Sequence, residues 1–200
     1  SDLKNHNKIY NYCKQNKLDL DIKINRLKYN YGCRLGPIKG ITWFFKENEY
    51  GVILEDDVIV SKKSLEVFSF LLKGNLNNNN TMSITSFNEF TNKKIESIYC
   101  TPVWRSWGWA SWSDKWHNHI KFSNKIKDKN IWGLYNLLPE KLRSIQTAKL
   151  VKASQLNLLD AWDYEFNFSH VVNNKSSLTI GGINNYVYGF DDTATHTIDF

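Results

Sequence analysis

The apolar positions of this chain change period several times, and each change marks an element. Residues 3–17 carry Ile9, Tyr12 and Cys13 on one side, which predicts a helix. From Asp21 to Leu27, Ile22 and Ile24 alternate with polar neighbours, as a strand does. Asn30-Tyr31-Gly32 supplies a turn. Ile38, Ile41, Thr42 and Phe45 then recur at i, i+3, i+4 and i+7, the stripe of a core-facing helix. After Gly51, the continuous run Val52-Ile53-Leu54 predicts a strand buried on both faces, typical of a parallel sheet. Ser61 or Ser64 can cap a helix carrying Leu65, Phe68, Leu71 and Leu72. A polar connector, Leu76-Asn77-Asn78-Asn79-Asn80, leads to a strand from Met82 to Phe87 that ends in Asn88-Glu89. Residues 134–159 read as helical. Strands and helices alternating in this way predict an α/β layered domain.

Composition narrows the class without deciding it. With 200 residues, 42% of them hydrophobic and 23% charged, the chain is long enough for one domain with a sizeable core. No apolar stretch is long enough to span a membrane. Cys13, Cys33 and Cys100 are odd in number and lack metal-ligand spacing, which points to idle thiols in a reducing, cytoplasmic compartment. The net charge of +6 is modest, with local clusters at Lys62-Lys63 and from Lys121 to Lys129. A solvated face explains it better than a nucleic-acid stripe, and a positive field also suits an anionic donor.

The chemistry starts at Glu55-Asp56-Asp57, directly after the apolar run. In α/β folds ligands sit at the carboxyl ends of strands. Carboxylates gathered there are costly unless a cation or water satisfies them, and a divalent ion would in turn hold phosphates. Residues 104–116 contain five of the eight tryptophans, whose faces stack on sugars or bases, and Gly108 sits between Trp107 and Trp109. Asp163 and Glu165 lie in an aromatic setting (Trp162, Tyr164, Phe166), where a carboxyl can be tuned towards general-base work. The tail Gly189-Phe190-Asp191-Asp192-Thr193-Ala194-Thr195-His196 sets a histidine among hydroxyls and acids.

In this order, the segments Tyr50 to Val60, Ser83 to Glu89, Trp104 to Trp116, Trp162 to Phe166 and Phe190 to His196 resemble nucleotide-diphospho-sugar transferases of the GT-A fold. The likeness is greatest to the N-acetylglucosaminyltransferase I family and its bacterial and viral relatives, and it covers residues 25–200. It implies a GT-A mixed sheet flanked by helices, in one domain spanning 1–200. Residues 1–90 would form the donor and metal half, and 91–200 the acceptor side. Asp57 would bind Mn²⁺ or Mg²⁺, and Glu55 and Asp56 the nucleoside or sugar. Arg34 and His196 would meet the donor, Asp163 would be the base of an inverting transfer, and Trp107, Trp109 and Glu165 would contact substrate. The partners implied are a nucleotide-sugar, UDP-sugar foremost, and a glycan or other hydroxyl acceptor. Relatives begin with a further strand and helix ahead of a turn like that near Ser1-Asp2, so the resemblance implies an N-terminally shortened fold. Such a chain could meet a membrane only peripherally, through a partner or another segment. Two other readings remain open on the residues alone. One is a carbohydrate-binding module using the tryptophans and Ca²⁺. The other is a metal-dependent phosphoesterase, which would need a second ligand group about 4 Å from the first.

Overall fold

The computed structural model describes residues 2–15, 21–87, 97–102, 104–181 and 186–187. The chain divides into two compact units, Ser1–Asn30 and Tyr31–Phe200. In the first, helix α1 (Asp2–Gln15) is followed by residues 21–30, and Arg26 reaches back to the Asn7 side-chain oxygen at 2.8 Å. The predicted strand over 21–27 does not form. Its alternation is right for a strand, but among the described residues no neighbouring strand hydrogen-bonds it, and a lone strand is not stable.

The second unit is a mixed five-stranded sheet flanked by helices. Its strands are β1 (Tyr50–Ile53), β3 (Thr81–Thr85), β4 (Ile98–Thr101), β5 (Trp109–Trp112) and β6 (Ser176–Ile180), in the order β1-β5-β3-β6-β4. Only β3 and β6 run parallel. β1 is therefore an edge strand, antiparallel to β5 and half-buried, not the doubly buried parallel strand its apolar run predicts. A short run of Val and Ile satisfies either setting, so burial pattern alone cannot choose. A separate ribbon pairs β2 (Val58–Ile59) with β7 (Tyr186–Val187).

Helices cover both faces of the sheet. On one side α3 (Lys62–Gly74) buries Phe68, Leu71 and Leu72 against Ile84, Ala110, Trp112 and Ile180. Ser61 is its cap, accepting from the Ser64 backbone N–H at 3.0 Å. On the other, α2 (Gly32–Glu47) presents Ile41 and Phe45, α4 (Ser113–Ile126) Trp116, and α7 (Asp163–Val172) Phe166, to Met82, Trp104, Trp109 and Trp162. Alternate residues of β5 thus face two cores, which explains the density of tryptophan there. Gly108 enters β5 at φ +76°, and its carbonyl accepts from the Ser86 N–H at 3.1 Å and hydroxyl at 3.0 Å. The predicted helix over 134–159 is broken: α5 (Ile131–Tyr135) stops before Pro139, a 3-10 turn (Glu140–Leu142) intervenes, and α6 (Ile145–Gln155) begins at the Ser144 cap. Among the described residues no helix is long and apolar enough to cross a membrane.

A polar seam crosses this core. His170 donates from Nδ1 to the Phe166 carbonyl at 2.8 Å, leaving Nε2 to accept from the Ser83 hydroxyl at 2.7 Å. His119 Nδ1 meets the Ser169 hydroxyl at 2.7 Å. Burial pushes the two imidazoles below their ordinary 6.5, to about 4 for His170 and about 3 for His119, the latter helped by the charge of His170. Unfolding frees both rings to take up protons below pH 6.5 while the folded state refuses them. Their stabilising contribution is thus complete above 6.5 and is lost as pH falls from there towards 4, on the order of 1 kcal/mol per pH unit for each. Urea unfolding at pH 7, 6 and 5 should give steadily falling midpoints; a flat series would contradict the neutral, buried assignment.

Candidate functional site

The acids sit where the apolar edge strand ends and the chain reverses. The Val58 N–H donates to the Glu55 carbonyl at 3.2 Å, closing a turn over Asp56-Asp57, and buried Val58 anchors its far side. Inside that turn Leu54 and Asp56 are exposed while Glu55 and Asp57 are half-buried. The burial has a consequence for Glu55. Desolvation raises its carboxyl from 4.5 to about 7, reinforced in turn by the carboxylates of Asp57, Asp163 and Asp56. The Trp162 indole N–H donates to it and works the other way. Asp163 opens α7 and follows Trp162 directly, so the core-packed indole and the first turn of that helix carry Asp163 to the acidic turn. Residues more than a hundred positions apart thereby form one carboxylate cluster. The buried Asp57 Oδ1 finds no hydrogen-bond partner among the described residues.

The cluster has a stability cost with a defined sign. Folded Glu55 holds its proton to about pH 7, whereas the unfolded residue releases it near 4.5. Its contribution is favourable below 4.5 and is lost as pH rises through 7, opposing the histidines over that window. Glu55→Gln keeps an acceptor for Trp162 and removes the charge. It should raise the melting temperature at pH 8 by a few degrees, about 1–2 kcal/mol after allowance for partial exposure, and change little at pH 5. Equal shifts at both values would place Glu55 outside the cluster.

Next to Asp163, the Tyr164 hydroxyl is pushed above its ordinary 10 by burial and by Asp163, against the opposing charge of Arg105. Arg105 thus belongs to the same neighbourhood, a cation that sequence reasoning passed over although it stands inside the tryptophan segment.

Arg34 and Glu165 are brought together elsewhere. The guanidinium Nη2 and Nε donate to Glu165 Oε1 at 2.8 and 3.1 Å, Ser154 adds a hydroxyl at 3.2 Å, and Ser123 donates to Oε2. Arg34 Nη1 also reaches the Asn157 side-chain oxygen at 3.2 Å. Asp160 accepts the Cys33 and Arg34 backbone N–H groups at 2.8 and 2.7 Å, completing the start of α2. At Gly32, where φ is +70°, a side chain would collide with the Asp160 carboxylate. The expected substrate contact at Glu165 and donor contact at Arg34 are therefore a nearly dehydrated ion pair that fixes α7 against α2 and α6. This geometry positions Asp163, two residues before Glu165.

The two tryptophans part company. Trp109 has no exposed surface and packs edge-on against Trp104 at 4.9 Å, so it has no face left for a ligand. Trp107 is half-buried, beside Phe87 with ring centroids 4.6 Å apart. His196 and Asn88-Glu89 lie outside the described residues. Cys13, Cys33 and Cys100 are free thiols.

No protein-family model matches this chain, and no curated protein is significantly similar to it. The site's chemistry rests on its residues alone. Among those described, no group of three or more His, Cys, Asp or Glu side chains is arranged to hold a metal ion by itself. Hard cations with substrate phosphates commonly take only one or two protein carboxylates. The unpartnered Asp57 oxygen beside the Glu55 carboxyl suits such a shared ion.

Proposed function

We propose that this protein is a metal-dependent, inverting glycosyltransferase of the GT-A type that moves a sugar from a nucleotide diphosphate to an acceptor hydroxyl. The observation supporting it is the convergence of the Glu55-Asp56-Asp57 turn with Asp163 across the end of β1. Asp57 would hold Mn²⁺ or Mg²⁺ together with the donor's phosphates. Once bound, the ion offsets the negative charge that develops on the departing diphosphate. Glu55, held by Trp162, belongs to the same carboxylate cluster and can donate or accept a proton near neutral pH.

Asp163 is the base. It lies in the first turn of α7. As the acceptor oxygen attacks the anomeric carbon, Asp163 takes the hydroxyl proton, and the sugar–phosphate bonding pair leaves with the diphosphate. One displacement inverts the anomeric centre. Half-buried Trp107 and Phe87 offer aromatic surface for a sugar on the acceptor side. The reading is tested by a transfer and hydrolysis screen over UDP-, GDP- and dTDP-sugars with and without Mn²⁺. Release of one nucleoside diphosphate, dependent on Mn²⁺, supports it; no turnover of any donor at either metal condition counts against it.

A further inference from the structure

The net charge of the chain is concentrated in one place. Residues 121–152, from the second half of α4 through α5 and the 3-10 turn into α6, hold eight Lys and Arg against two Asp and Glu. That surplus equals the +6 of the whole protein, so the remaining residues balance. Seven of the eight cationic side chains are exposed; Lys152 is half-buried. A basic stretch alone is ordinarily a solvated face. This one has apolar surface at its centre: Trp132 is 65% exposed and Leu142 47%.

Contacts join Trp132, Tyr135, Arg143 and Lys129 in one patch. Trp132 meets Tyr135 edge-on with centroids 6.0 Å apart, and the Arg143 guanidinium lies over the Tyr135 ring at 5.9 Å. The Lys129 side chain runs past Gly133, where an added Cβ would approach its Cβ to 3.3 Å. Leu142 sits between Lys141 and Arg143. The patch is rigidly mounted. Leu134, Leu138, Ala148, Val151 and Phe168 form the core cluster beneath it, and Asn130 caps α5 by accepting from the Gly133 N–H at 2.8 Å.

We propose that this face docks the protein on an anionic membrane surface, independently of what the carboxylate site does. An indole and a leucine ringed by lysine and arginine match a lipid interface, where the apolar groups enter the headgroup layer and the cations meet lipid phosphates. A nucleic acid would use the charges and the Trp132 face, but it has no use for an exposed leucine beside them. Among the described residues no helix is long and apolar enough to cross a membrane, and the proposal concerns this surface patch alone.

Sedimentation with sucrose-loaded vesicles tests this, using phosphatidylcholine alone or with about 30 mol % phosphatidylserine, beside a single-stranded oligonucleotide. The protein should bind the phosphatidylserine vesicles at least about tenfold more tightly than neutral ones. Trp132→Ser and Lys129→Glu/Lys141→Glu should each weaken that binding at least about tenfold at an unchanged melting temperature, since all three residues project outward. Three results would overturn the proposal: equal binding to both vesicle types or none, tighter binding of the oligonucleotide, or full vesicle affinity in Trp132→Ser.

Discussion

Replacing Arg34 with methionine is expected to lower stability by about 3–5 kcal/mol, the effect of stranding a buried carboxylate. Glu165 is only 2% exposed and Arg34 14%, so water cannot take over when the guanidinium is removed. The serine hydroxyls of Ser123 and Ser154 stay, but they carry no charge. For a chain of this size the loss corresponds to roughly 6–20 °C in melting temperature. The control is Arg34→Met/Glu165→Met, which removes both charges and should recover most of the deficit, because an apolar pair tolerates burial. A single variant melting within about 2 °C of the parent would show that the pair is solvated and that α7 is held by other contacts.

The second large effect belongs to Asp163. Asp163→Asn should reduce the rate of sugar transfer by about 10²–10⁴-fold, the usual contribution of a positioned general base. Nucleoside diphosphate binding in the presence of metal should persist, because the proposed mechanism puts Asp163 on the acceptor and Asp57 on the donor. The amide also removes one of the charges that raise Glu55, so the acid limb of the variant's residual pH profile should move down. Comparing kcat and nucleotide affinity in this variant separates the two roles. Transfer within about threefold of the parent would take the proton-accepting role away from Asp163.

Much of this site was legible from local patterns, and its limits are equally physical. The acidic turn could be read because three carboxylates follow an apolar run, and the Ser61 cap because its helix repeats Phe68, Leu71 and Leu72 at helical spacing. The position of β1 at a sheet edge could not, since strand order depends on pairings that no short window contains. Tryptophan density is ambiguous for the same reason. Trp109 packs wholly in the core while Trp107, two residues before it, retains surface. The Arg34–Glu165 pair spans 131 positions, and nothing near either residue marks the other. Pro139 did offer a visible signal: it forbids the continuous helix that the apolar spacing of 134–159 suggests, and the chain breaks there. The link from Trp162 to Glu55 is the same kind of long-range fact, and it turns an acidic turn and a remote aspartate into one site.

The most direct test of that site is the melting temperature with Mn²⁺ and UDP, GDP or dTDP, each alone and in combination. Mn²⁺ together with one nucleotide, at about a hundred times its dissociation constant, should stabilise the protein by roughly 3 kcal/mol, or about 5–10 °C, beyond either component alone. Asp57→Ala should abolish that increment. No shift with any nucleotide, or the same shift in Asp57→Ala, would contradict a shared metal–diphosphate site at the end of β1.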